Sequence, residues 1–329
     1  MAFKLASDAA AYVVVNTKPD VLEKSSSGGA FSLLAEYVLE QGGIVYGCAF
    51  DEHQVARHIR VDSREGLAAL RGSKYVQSDM GDNFGLVKKD LTSGIAVLFT
   101  GTPCQVDGLR AFLGKDYDQL LCADIVCHGV PSPEYFADYL RTEYGEDATH
   151  IKSVEFRDKR QGWTKSGGVR FDESAGCNFH YLDPAFSTYY GQFLAGEIYR
   201  ESCYRCPYAN TNRVGDFTIA DFWGLNQKDS GVDADGGASL VLINNQKAVT
   251  LAPFIFKSAI CEERPLEEAT AGNSQLNAPV PRPKERDEIM KLWLEEGMEE
   301  VTARYKSAHL KRLPKWLVKR MLHIISGGA

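Results

Sequence analysis

Two apolar runs, residues 95–100 and 120–127, the second broken only at Asp124, constrain the fold of this chain more than any other feature. A strand with one wet face alternates apolar and polar residues, whereas a strand covered on both faces does not. Each run therefore predicts a buried strand in a sheet with helices on both sides. Each also runs into a tight turn: Gly101-Thr102-Pro103-Cys104 after the first, His128-Gly129-Val130-Pro131 after the second. A helix is expected after each turn, through Leu113 in one case and from Ser132 to about Tyr144 in the other.

The remaining pattern agrees with this. A strand is expected at 11–15, a helix at 30–41, a strand at 44–50 with a hairpin partner at 54–61, and a short helix at 64–70. The serines of Ser25-Ser26-Ser27-Gly28-Gly29 stand where a helix N-cap belongs. From Ile151 the pattern changes to short strands at 151–157, 168–171, 177–181, 217–220 and 238–243, with 229–237 the most loop-like stretch. A helix at 285–306 and a second helical or amphipathic segment at 314–325 follow. The fold class is α/β with α+β elements in the second half: a mixed sheet flanked by helices, a loop-rich region and a helical C-terminal tail. Three divisions are expected: an N-terminal α/β part (1–110), a second region (111–265) and a helical basic extension (266–329).

Eight cysteines fall on this frame: Cys48, Cys104, Cys122, Cys127, Cys177, Cys203, Cys206 and Cys261. A chain of 329 residues, 44% hydrophobic, has core enough to fold without disulfides. No secretory signal and no apolar run of bilayer length are seen, which places the chain in the cytoplasm. Buried thiols, a redox pair or a metal site remain. Cys203-Tyr204-Arg205-Cys206 sets two sulfurs on one side of a turn. Cys104 and Cys127 each follow a buried strand, where ligands of open α/β sheets gather. Together these four fit zinc or a [4Fe–4S] cluster, and ligand identity does not separate the two. The bland alternative is that Cys104 and Cys127 are small buried hydrophobes. Cys48 and Cys122 read as core, and Cys177 and Cys261 receive no role.

Three small-residue turns share the first half: 25–29 before a helix, Gly72-Ser73-Lys74-Tyr75, and Gly101-Thr102-Pro103 beside Cys104. Backbone N–H groups at a helix start suit a phosphate. None of the three is a dinucleotide fingerprint or a P-loop, and an ordinary capped helix start explains the first equally well.

Taken in order, seven motifs are specific: Ser26-Ser27-Gly28-Gly29-Ala30-Phe31, Gly72-Ser73-Lys74-Tyr75-Val76, Gly101-Thr102-Pro103-Cys104-Gln105, Val126-Cys127-His128-Gly129-Val130-Pro131-Ser132, Phe156-Arg157-Asp158-Lys159, Cys203-Tyr204-Arg205-Cys206-Pro207-Tyr208 and Asp221-Phe222-Trp223-Gly224. The set resembles the beta-subunit family of the coenzyme F420 hydrogenases and dehydrogenases, over residues 25–263. The resemblance implies an iron–sulfur flavoprotein oxidoreductase. It implies a [4Fe–4S] cluster on Cys104, Cys127, Cys203 and Cys206. It implies FAD along Ser26, Ser27, Gly28, Gly29, Ser73, Lys74, Tyr75 and Thr102. Lys74 would set positive charge beside the flavin and Trp223 would stack on a ring; their plain readings are a surface lysine and a core tryptophan.

No cysteine precedes Cys48, so the chain reads as a member without the N-terminal ferredoxin-like segment of many relatives. A ferredoxin-like or other electron-donor protein would then supply electrons, and a hydride carrier (coenzyme F420-like or NAD(P)H) or another substrate would exchange them. The signatures around His128 and Arg157 resemble members found among polysaccharide-synthesis genes. A non-catalytic electron-transfer or accessory subunit is the alternative, and a zinc-stabilised accessory protein a third.

Charge separates along the chain. After Glu300 stand seven basic and no acidic side chains, which leaves −14 on the rest of a chain whose net charge is −7. An acidic body excludes nucleic acid as a natural partner. From His309 to Ile325 basic residues alternate with apolar ones, a pattern suited to the inner face of a membrane, to the acidic body or to a partner.

Overall fold

A computed structural model describes residues 2–164, 166–172 and 178–312. The segment at 314–325 and Cys177 therefore lie outside the described residues.

The main sheet has eight strands: β1 (Ala10–Asn16), β2 (Ile44–Phe50), β3 (Ala56–Val61), β4 (Val97–Gly101), β5 (Leu120–Ile125), β9 (Phe217–Asp221), β10 (Ser239–Ile243) and β11 (Ala259–Pro265). Their order across the sheet is β11-β1-β10-β9-β5-β4-β2-β3. The four central strands β2, β4, β5 and β9 run parallel, and the flanking pairs are antiparallel. Both expected apolar strands sit in this parallel centre, β4 against β5. Val97, Leu98 and Phe99 of the one and Leu120, Leu121, Cys122 and Ala123 of the other are buried.

Helices cover both faces, as strands without alternation require. Ala30–Leu39 and Gln246–Ile255 pack one side, where Leu34, Leu98, Leu121 and Ala252 meet. Asn83–Thr92 and Pro103–Leu113 pack the other, around Phe99, Leu109 and Val87. Each fully buried Leu or Phe here contributes about 1.5–3 kcal/mol through water exclusion.

A second, three-stranded sheet is built of β6 (Ile151–Arg157), β7 (Ser166–Phe171) and β8 (Phe179–Tyr181) in sequence order. Its core is aromatic: Tyr135, Phe136, Tyr139, Phe156, Tyr189, Tyr190 and Phe193 pack together with Tyr199 and Tyr204. The helices Pro133–Tyr144 and Thr188–Leu194 supply much of it.

Local chemistry accounts for most boundaries. Pro103 opens its helix behind a reciprocal Thr102–Gln105 capping box, and Gly114 ends it in a left-handed turn. Ser132 caps the next helix on the N–H groups of Glu134 and Tyr135. Two expectations change. The helix expected at 285–306 is two helices, Arg286–Glu296 and Met298–Arg312, divided at Gly297 with φ 90°. The serines before Ala30 are not N-caps: Gly29, at φ 83°, holds that position without a side-chain cap.

One edge of the main sheet collects the turns. β4, β5 and β9 all point their carboxyl ends there, since Gly101 pairs with Asp124 and Ile125 with Ile219. Asp221 pairs with Ser239, and Ser239 with Val14, so the chain leaving β1 emerges at the same edge.

Candidate functional site

Cys104 lies in the first turn of the helix after β4, and Cys127 two residues beyond β5. Parallel pairing of β4 and β5 puts those two turns side by side. Cys203 sits in a single-turn helix, Glu201–Arg205, and Cys206 follows it. Burial pushes the Cys127 thiol up to about 12, against a hydrogen bond from the Gly129 backbone. The neighbouring charges of Cys203, Cys104 and Cys206 push the same way. Burial raises Cys203 too, with Cys104 and Cys206 adding to it. The charges of Cys104 and Cys206 thus reach both Cys127 and Cys203, which ties thiols from three separate segments to one neighbourhood. A cationic metal centre reverses that sign, because a coordinating thiol is deprotonated outright. Among the described residues no group of three or more His, Cys, Asp or Glu side chains is arranged to hold a metal ion.

The surroundings are polar on one side and aromatic on the other. The Thr102 hydroxyl lies 3.1 Å from Cys104 Sγ. Tyr208 donates to Asp107 at 2.6 Å, and that bond, with burial and with Cys104 and Cys206 nearby, pushes its hydroxyl to about 12. Tyr199, buried in the aromatic core, feels the charges of Cys127 and Cys203.

The second group of residues gathers around the ends of β1 and β9. Ser73 and Ser26 share a hydrogen bond of 3.0 Å, joining the 72–76 turn to the 25–29 loop. Ser27 Oγ donates to the Ala238 carbonyl at 2.6 Å, and its side chain lies beside Asp221. Gly28 is pressed on the strands: a Cβ there would stand 2.1 Å from the Val14 carbonyl oxygen and 2.4 Å from Ser239 N. Gly29 gives the helix start no side-chain cap, and the Ala30 N–H donates instead to Ser239 Oγ at 3.3 Å. Beside Gly29 lies Asn16, 2% exposed, whose Nδ2 has no partner among the described residues.

Tyr75 stacks on Phe193 at 4.4 Å and lies near the Arg157 guanidinium, whose charge favours ionisation of its hydroxyl against the larger effect of burial. Arg157 in turn reaches Asp221 at 3.3 Å and the Trp163 carbonyl at 2.6 Å, while its buried Nε is unpaired among the described residues. Trp223 is stacked on Trp163, ring centres 5.0 Å apart, with the Arg157 guanidinium 5.0 Å from its ring. Burial raises the Asp221 carboxyl, although Arg157, Trp163, Ser27 and Lys159 all favour its charge. Lys159 donates to the carbonyls of Leu22 and Ser27 at 2.7 and 2.5 Å, and burial pushes it down to about 8.

Lys74 occupies a different niche. Its ammonium bonds the Ala69 and Arg71 carbonyls at 2.9 and 2.7 Å, and burial lowers it to about 8, with Cys48 nearby working against that shift. It also lies near the buried His58, whose ring nitrogens meet the Thr100 carbonyl and Ser78 Oγ, each at 3.0 Å.

The edge thus brings together Ser26, Ser27, Ser73, Tyr75 and Trp223, and separately Thr102 with the four cysteines. Arg157, Lys159, Trp163, Asp221 and Asn16 received no role from the sequence. Arg157, Lys159 and Asp221 stood inside quoted motifs, so their signal was present, whereas nothing local marks Asn16.

Comparison with known proteins identifies the family. The family model for the C-terminal part of the coenzyme F420 hydrogenase/dehydrogenase beta subunit matches residues 95–269, and the model for its N-terminal part matches residues 11–82. These matches correct the expectation of a member lacking an N-terminal segment: both the N-terminal and the C-terminal beta-subunit regions are present. No curated protein matches. Among solved structures the fold is similar to a chain of the F420-reducing [NiFe] hydrogenase complex from Methanosarcina barkeri. That chain is 15% identical with a TM-score of 0.50, over 92% of this chain and 90% of the other. Among the described residues no helix is long and apolar enough to cross a membrane. Both family regions in order, on a matching fold, establish that the chain belongs to the coenzyme F420 hydrogenase/dehydrogenase beta-subunit family of electron-transferring oxidoreductases.

Proposed function

We propose that this chain is an iron–sulfur flavoprotein that passes electrons between a [4Fe–4S] cluster and FAD, and from there to or from a hydride carrier. The observation that carries the reading is that parallel pairing of β4 and β5 sets the Cys104 and Cys127 turns side by side, with Cys203 and Cys206 near enough for their charges to act on Cys127. Four thiolates suit zinc as well as a cluster in which each binds its own iron. Membership of an electron-transferring family favours the cluster, because zinc carries no electrons.

The donors on the flavin side fit a dinucleotide. The glycine turn at the helix start, the orphaned Asn16 Nδ2, and the cations Lys159 and Arg157 suit a diphosphate. When bound, a flavin exchanges hydride as well as single electrons, which couples cluster traffic to a two-electron carrier. Ser26, Ser27, Gly28, Gly29, Ser73, Tyr75 and Thr102 line its segments. Arg157 would place positive charge that favours a reduced, anionic ring, whereas the Lys74 ammonium is held in its own niche by the Ala69 and Arg71 carbonyls. Trp223, braced by Trp163, forms an aromatic wall. Residues 1–110 contribute the flavin segments and Cys104, residues 111–265 the other cysteines and Trp223, and 266–329 a helical extension. A ferredoxin-like protein is the natural partner on the cluster side.

Anaerobic purification with iron, sulfide and flavin analysis tests the reading. A brown protein with releasable FAD is expected; a colourless zinc protein would overturn it. Turnover of reduced deazaflavin or NAD(P)H with an artificial acceptor distinguishes the enzyme from a passive electron carrier.

A further inference from the structure

Arg213 lies between the Cys203–Cys206 turn and β9, with its side chain 1% exposed against Asp124 at 0%. One guanidinium nitrogen donates to Asp124 Oδ1 and to the Ile125 carbonyl, each at 2.9 Å. The other donates to the Tyr208 carbonyl at 2.6 Å. Ile125 stands two residues before Cys127, and Tyr208 two residues after Cys206. One planar group therefore ties the backbones of two cysteine-bearing segments. The second oxygen of Asp124 accepts the N–H groups of Val214 and Gly215 at 3.2 and 2.8 Å, closing the same loop from its far end.

A buried charge pair is a costly way to pack a loop, since apolar side chains fill space without desolvating ions. What it provides is direction. The guanidinium is a rigid fork whose donors fix several acceptors in one plane. We propose that Arg213 is a positioning residue for the cluster: it sets the separation of Cys127 and Cys206 through the carbonyls on either side, with Asp124 as its anchor. The proposal rests on the four-thiolate reading given above.

Arg213→Lys is the first test, because it keeps a charge opposite Asp124 but loses the planar fork. Wild type and variant are purified anaerobically and compared in iron content, cluster bleaching by an iron chelator, the electron paramagnetic resonance of the reduced protein, and far-ultraviolet circular dichroism. The expected result is unchanged circular dichroism, a shifted resonance, and cluster loss faster by about 10–100-fold, the usual scale for an outer-shell partner. Wild-type bleaching with an unshifted resonance overturns the proposal. So does a loss of helical signal that tracks the loss of iron, since Arg213 then serves folding at large. If the lysine variant does not fold, the neutral pair Arg213→Gln with Asp124→Asn is measured the same way, and its failure to fold would also overturn the proposal. A wild-type protein that takes up no iron–sulfur cluster sinks the four-thiolate reading first and Arg213 with it, so the two failures are told apart.

Discussion

Cys104, Cys127, Cys203 and Cys206 are alike in the sequence only by their turns, and the fold brings those turns to one region, where Cys104, Cys203 and Cys206 all act on the charge of Cys127. Cys104→Ala or Cys203→Ala is expected to abolish the cluster and much of the stability, because metal binding and folding are coupled. Unchanged iron content in both anaerobically purified variants would contradict the ligand set. Asp124→Ala is expected to cost about 3–5 kcal/mol, the usual penalty for leaving one member of a buried ion pair alone. A shift of the urea midpoint below that scale would mean the site relaxes around Arg213. The cysteines were legible because strand ends and C-x-x-C spacing are local signals. Asp124 was not: an aspartate inside an apolar strand reads as an interruption, and its partner is 89 residues away. Trp223 was legible as a residue of interest, but its neighbours Trp163 and Arg157 come from the other sheet.

Elements differ in how plainly they announce themselves. The strands β4 and β5 and the helices after them follow from apolar runs and Pro or Ser at the starts. The helix Gln246–Ile255 carries Pro253 inside it, and that residue masks its period. Strand β11 is a charged edge, with Glu262, Glu263 and Arg264 in its span, so it lacks the apolar alternation that marks a strand. At 25–29 the serines suggested caps, yet they serve as ties to Val21, Ser73 and Ala238 while glycine makes the turn. Gly28→Ala is therefore expected to destabilise by about 1–3 kcal/mol, since its Cβ would meet backbone rather than a movable side chain. It should also weaken FAD retention on gel filtration. A variant with wild-type Tm and flavin content would show that the loop can shift outward at no cost.

At the scale of the whole molecule, acid is expected to act through His58. Burial lowers its imidazole from an ordinary 6.5 to about 4. Between those values the unfolded chain binds the extra proton, so stability rises with pH. The contribution is complete above about pH 6.5 and is lost as pH falls toward 4, by up to about 3 kcal/mol at about 1.4 kcal/mol per unit. Urea midpoints across that window should fall in wild type and flatten in His58→Gln; parallel curves would place the acid sensitivity elsewhere.

The position of β1 bears on how the chain is made. It is among the first strands to leave the ribosome, and both its neighbours, β10 and β11, are among the last. Until residues 239–265 emerge, β1 has two unpaired edges, the kind of exposed strand that chaperones hold and aggregates recruit. The 25–29 loop cannot settle either, because Gly28 packs against Ser239. Settling of this loop, and loading of the proposed flavin with it, therefore follows synthesis of nearly the whole chain, and a nascent chain stalled before residue 239 leaves β1 without either of its partners.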